Sequence, residues 1–182
     1  MGIFIALLRG INVSGHNMIN MNALKTCFQE LDYQNVKTYI QSGNIVFQSL
    51  MEDTYMIAER IKQKIEKEFG FSVPVLVIPI DYLEKVIYQN PLLNDSIKDP
   101  AFFHVTFLYS DQYLSTFDQI ESRKKENEAI ILQHDVIYLY CPDGYGQTKL
   151  TNSLIESKLK VGTTTRNWKT VNELYKIAKE IG

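Results

Sequence analysis

Hydrophobic and polar positions along this chain change period several times, and each change predicts an element. Ile3-Phe4-Ile5-Ala6-Leu7-Leu8 is a continuous apolar run, the pattern of a strand covered on both faces or central in its sheet. The segment Arg9 to Asn20 is polar, and Asn20 then stands as an N-cap before a helical stripe of Leu24, Cys27, Phe28 and Leu31. Val36 to Ile40 alternates as a half-buried strand does. Ser42-Gly43-Asn44 supplies turn chemistry, and Ile45-Val46-Phe47 returns. Met56, Ile57, Ile61, Ile65 and Phe69 mark a longer helix that Gly70 stops, and Val73 to Ile80, with Pro74 and Pro79, reads as an edge strand. The order β-α-β-β-α-β is that of a split βαβ, or ferredoxin-like, plait.

The second half carries a related order. A short helix is predicted over Tyr82 to Tyr88, with Asn90 to Pro100 as the connection between two lobes, 1–95 and 96–182. Phe102 to Tyr109 reads as a strand, and Asp111 caps a helix carrying Leu114, Phe117 and Ile120. The charged run Glu121 to Glu128 reads as a solvated helix end and loop. Ala129 to Leu132 and Val136 to Tyr140 form a hairpin, followed by helices over Ser153 to Leu159 and from Trp168 onward. The expected fold is therefore α+β, a ferredoxin-like plait followed by a smaller α+β lobe of order β-α-β-β-α-α. A helix stands there where a fourth strand would be.

Composition narrows the partners. The 182 residues are 45% hydrophobic and 22% charged with a net charge of −2, which suits a packed core and does not favour duplex nucleic acid. Cys27 and Cys141 have no metal or redox spacing and read as reduced, buried thiols, and no His/Cys/Asp cluster has ligand spacing, so no metal and no cofactor is implied. Ala6 stands where a myristoylation signal wants Ser or Thr, and no apolar run reaches membrane-spanning length, so a cytoplasmic protein without membrane partners is expected. Oligomeric state is left open.

Candidate chemistry concentrates in three segments. In a plait, the end of the first strand and the hairpin joining the second and third strands lie at the same end of the sheet. That topology brings Arg9, Gly10, Asn12 and Asn17 toward Ser42, Gly43 and Asn44. Backbone N–H groups of a glycine-containing loop, a guanidinium and side-chain amides make an anion cradle, and a helix beginning after Asn20 adds its positive end. The plain alternative is that the glycines serve turns and the asparagines cap backbone groups. His16, in a polar loop, is the candidate acid–base residue, whereas His104 reads as a strand residue and His134 as a turn residue. Thr163 to Trp168 reads as a polar helix start, with Thr165 or Asn167 as cap and Arg166 as a bidentate anion grip. Trp168 is assigned to core packing. Asp143 to Lys149 lacks the spacing of a phosphate loop.

Three ordered motifs, Ala6-Leu7-Leu8-Arg9-Gly10-Ile11-Asn12-Val13, Thr38 to Phe47 with its Gln41-Ser42-Gly43-Asn44, and Thr164-Thr165-Arg166-Asn167-Trp168, resemble those of the family called domain of unknown function 1697, mostly bacterial proteins. Ser14 replaces the first of two glycines usual in that family's loop. The resemblance implies an α+β, ferredoxin-like architecture and no activity. The expected function is binding of a phosphate-bearing small molecule or nucleotide in a cleft formed by the first-strand loop, the hairpin and the start of the last helix, using Arg9, Gly10, Asn12, Asn17, Ser42, Gly43, Asn44, Arg166 and Asn167. One alternative is an acylphosphatase-like phosphohydrolase using Arg9 and Asn44. The other is a plait that binds single-stranded RNA through Phe4 and Phe47, which no basic run flanks.

Overall fold

The structure, a computed structural model, describes residues 1–110 and 116–182. The chain divides into two compact units, Met1–Lys85 with Glu173–Gly182, and Val86–Asn172.

The first unit contains β1 (Gly2–Leu8), α1 (Met21–Gln29), β2 (Gln34–Tyr39), β3 (Asn44–Ser49), α2 (Thr54–Phe69) and β4 (Val75–Pro79). They form an antiparallel sheet of order β2-β3-β1-β4. β1 lies between two partners and is buried on both faces, which is why its sequence is an unbroken apolar run. One face, carrying Phe4, Ala6 and Leu8 with Phe47 and Val77, packs on Leu24 and Phe28 of α1 and Ile57, Ile61 and Ile65 of α2. The stripe recurs every three or four residues on both helices because only one side of each meets the sheet. The ends are set locally. Asn20 accepts from the N–H groups of Asn22 and Ala23, Asp53 accepts from those of Tyr55 and Met56, and Gly70, at φ 78°, closes α2.

The next helix, α3 (Ile80–Tyr88), begins directly on β4, and the division between the units falls within it. The second unit contains β5 (Phe103–Leu108), α4 (Asp118–Glu121), β6 (Ala129–Gln133), β7 (Val136–Tyr140), α5 (Asn152–Leu159) and β8 (Thr163–Asn167), and α6 (Trp168–Glu180) begins in it. The expected cap at Asp111 and the helical position of Leu114 lie outside the described residues. The last ten residues rejoin the first unit, where Gln48 Nε2 donates to Ile181 O at 2.9 Å and the Tyr175 hydroxyl donates to Glu84.

One expectation is corrected here. Thr163–Asn167 is not the start of a helix but strand β8, antiparallel to β5 with Val105 opposite Arg166 and Thr106 opposite Thr165. The second unit thus has a sheet of order β6-β7-β5-β8, and no pair of consecutive helices ends it. The reason is physical: three β-branched threonines favour extended backbone. Their polarity resembles capping chemistry in the sequence, but the Thr163 and Thr165 hydroxyls bond sideways to Asn152, and that of Thr164 accepts from Arg166. Asn167 still caps α6, accepting from Thr170 N at 2.8 Å.

The central strands end alike in both units. Leu8 N donates to Gly43 O at 2.8 Å and Arg9 N to Pro74 O at 3.0 Å; Leu108 N donates to Asp135 O at 3.1 Å and Tyr109 N to Gly162 O at 2.9 Å. Among the described residues, no helix is long and apolar enough to cross a membrane.

Candidate functional site

The strand-end loop and the hairpin of the first unit lie together. Leu7 is opposite Asn44 in the sheet, and the Leu8–Gly43 bond joins the next position. Gly43 has φ +78°, and a Cβ there would stand 2.7 Å from the Leu8 Cβ and 3.0 Å from Ile11 Cδ1. Only glycine permits both that turn and that approach.

Asn12 fastens the loop. Its Nδ2 donates to Ile19 O at 3.0 Å and to Gln41 O at 2.9 Å, and its Oδ1 accepts from Ile19 N at 2.8 Å. The Asn17 amide donates to Gly10 O at 2.9 Å, closing the loop on itself. Asn44 is fully buried, with its amide on Tyr39 O at 3.2 Å and Ser42 Oγ at 2.8 Å. These three asparagine side chains therefore hold the scaffold. Gly10, Ser42 and His16 are exposed, Arg9 is half-buried, and His16 N donates to Val13 O at 2.9 Å across a tight turn. The loop backbone is strained: Asn12, Ser14 and Asn17 all have φ between 49° and 54°, outside the range most side chains favour.

Beside this scaffold lies an open groove of about 400 Å³ lined by Met18, Ile19, Asn20, Met21, Asn22 and Gln41. It sits on the cap and first turn of α1. Sequence reasoning singled out Asn20 only as a cap and passed over Met18, Met21, Asn22 and Gln41 as ligand contacts. The signal available in the sequence is two methionines, Met18 and Met21, in a polar segment; that Met18 is exposed comes from the structure.

The other candidates belong to other elements. Arg166 lies in the second unit, donating to Thr164 Oγ1 at 3.0 Å and Thr165 O at 2.9 Å, and burial pushes its pKa down to about 10. It is a strand residue rather than a helix-start residue. Asn167 is the cap described above. Phe4 and Phe47 are buried in the core, 6.0 Å apart between ring centres, so the two aromatics named for RNA stacking do not face solvent. His134 is an exposed turn residue with φ 55°. Cys27 and Cys141 are free and buried, and burial raises both thiols, Cys141 to about 11. Among the described residues no group of His, Cys, Asp and Glu could hold a metal ion.

A family model described as "Protein of unknown function (DUF1697)" matches residues 1–138. The chain belongs to this family. The matched DUF1697 region contains both the strand-end loop and the hairpin, and ends before Thr163. No curated protein matches the chain. Among solved structures, the conserved bacterial protein SP0830 from Streptococcus pneumoniae is similar over 97% of this chain and 98% of its own, with a TM-score of 0.76 and 22% identity. That likeness shows a shared fold. The family has no assigned function to carry over.

Proposed function

We propose that the first unit binds a phosphate-bearing small molecule of nucleotide type in the groove at the start of α1, and that both units are ferredoxin-like plaits. The fold reading is supported by the strand order, which in each sheet sets the first strand between the third and the fourth. The binding reading is carried by one observation, the mixed lining of the groove. Met18, Ile19 and Met21 supply apolar surface suited to a flat ring, while Asn20, Asn22 and Gln41 bring amides to the same space. The groove opens on the N-terminal turn of a nine-residue helix, where the positive end of the dipole favours an anion. Arg9, half-buried at the end of β1, adds positive charge at this end of the sheet. Gly10, Asn12, Asn17, Ser42, Gly43 and Asn44 serve this reading as the frame that fixes the loop. Arg166 and Asn167, in the other unit, are not used by it.

Binding is favoured over hydrolysis because Asn44, which an acylphosphatase-like mechanism would need at its ligand, is buried in the hairpin and bonded there. Calorimetric titration with AMP, adenosine and inorganic phosphate tests the reading. AMP is expected to bind at least tenfold more tightly than either fragment, and Gln41→Ala to weaken it by roughly three- to tenfold, the worth of one hydrogen bond of about 1 kcal/mol. Equal binding of AMP and phosphate, or no binding of AMP, would overturn it.

A further inference from the structure

The two units place residues at corresponding positions, and on one face the correspondence breaks in chemistry. The matching bonds at the ends of β1 and β5 align Leu8 with Leu108, and the sheet registers extend the alignment along both strand pairs. Phe4, Ala6, Val75 and Val77 then correspond to His104, Thr106, Thr163 and Thr165. The first four are buried hydrocarbon in the core of their unit. The second four form a polar cluster beside α5. Thr106 Oγ1 lies 2.7 Å from Thr165 Oγ1, and Thr165 Oγ1 and Thr163 Oγ1 donate to Asn152 Oδ1 at 2.7 and 3.0 Å. A polar cluster where the same architecture elsewhere uses a plain core lowers stability unless its groups are all satisfied.

Two of these groups are left unengaged. His104 Nδ1 lies 3.2 Å from Phe102 O, which assigns the proton to Nδ1 and leaves Nε2 as an acceptor. Burial lowers the His104 pKa and so favours this neutral form. Asn152 uses its Oδ1 on the two threonines and keeps Nδ2 as a donor. Neither Nε2 nor Nδ2 has a partner among the described residues, and both residues are only partly buried. The Tyr145 ring stacks on His104 at 4.9 Å and 25°, and its hydroxyl bonds Thr165 Oγ1 at 3.2 Å. Glu156, whose Oε1 accepts from Thr163 N at 2.8 Å, puts negative charge at the cluster and opposes an anion.

We infer that this cluster is a second ligand site, selective for a planar, uncharged ring bearing an amide edge, an N–H donor next to a C=O acceptor, as in pyrimidine bases and nicotinamide. The ligand N–H meets His104 Nε2, its carbonyl accepts from Asn152 Nδ2, and its ring lies against the stacked aromatic pair.

The test follows the His104 ring nitrogens and the Asn152 side-chain amide by ¹⁵N NMR while uracil, nicotinamide or inorganic phosphate is added to the full chain. Saturable shifts at both groups with uracil or nicotinamide, and none with phosphate, are expected. Asn152→Asp keeps an oxygen for the two threonines but removes the donor, and should abolish the response in a folded protein. Thr165→Val, which installs the residue of the first unit but takes away the partner of the buried Thr106 hydroxyl, should lower the melting temperature while keeping the fold, and weaken the response at least tenfold. The inference is overturned if neither probe shifts these groups, if phosphate shifts them equally, if Asn152→Asp still responds, or if Thr165→Val keeps its response intact.

Discussion

Replacing Asn12 should show whether the strand-end loop is built as described. Asn12→Ala removes two donated bonds, to Ile19 O and Gln41 O, and one accepted from Ile19 N. Each is worth about 1 kcal/mol net, with less expected from the exposed contact to Gln41. Alanine must also hold φ 54°, at a further cost of about 1 kcal/mol that asparagine largely avoids. The expected loss is about 3 kcal/mol for Ala and about 2 kcal/mol for Asn12→Gly, since glycine relieves the backbone but restores no bond. Asn12→Asp keeps the acceptor for Ile19 N but turns a carboxylate oxygen toward two carbonyls. It should match Ala at neutral pH and recover partly once protonated in acid. Urea unfolding followed by circular dichroism gives the three losses, and exchange at the Ile19 amide reports the loop itself. If Ala and Gly both fall within 0.5 kcal/mol of wild type with Ile19 still protected, the loop is held by something other than this amide.

The remaining predictions concern single positions. Gly43→Ala should cost about 3 kcal/mol, from positive φ plus close contacts with Leu8 and Ile11, whereas Gly10→Ala, with open space around it, should cost only about 1 kcal/mol; thermal melts compare them. The Tyr33 hydroxyl is buried in the core with no hydrogen-bond partner among the described residues, so Tyr33→Phe should be neutral or stabilise by up to about 1 kcal/mol in denaturant titration. Burial depresses the His104 pKa in the folded state, so its contribution to stability is complete above the unfolded value of about 6.5 and is lost as pH falls through the lower folded value. Melting temperatures across that acid range should fall less steeply in His104→Phe than in wild type, and parallel profiles would refute the assignment.

Periodicity made most elements legible in advance. The β1 run and the α2 stripe were readable because burial on two faces and on one face leave different spacings. β8 was not, because threonine serves caps and strands alike, and what decides between them is the cross-strand partner β5, some 60 positions earlier by the Thr106–Thr165 contact. Within the site, topology correctly predicted that the Arg9 loop and the Ser42 hairpin share a sheet end. It could not divide frame from contact surface. Asn12 and Asn44 read as ligand amides until their bonds to Gln41 O and Tyr39 O assign them to the frame. Met18 and Met21 carry no motif, and only coordinates place them on the groove beside a helix start.

The central claim, that the groove at the start of α1 takes a nucleotide, is tested most directly by methyl-labelled methionine NMR. The chain has five methionines, two of which, Met18 and Met21, line the groove. On titration with AMP, the Met18 and Met21 methyl signals should shift and saturate together, while Met1, Met51 and Met56 stay in place. AMP-dependent shifts confined to the other methionines, or none at any of the five, would contradict the account.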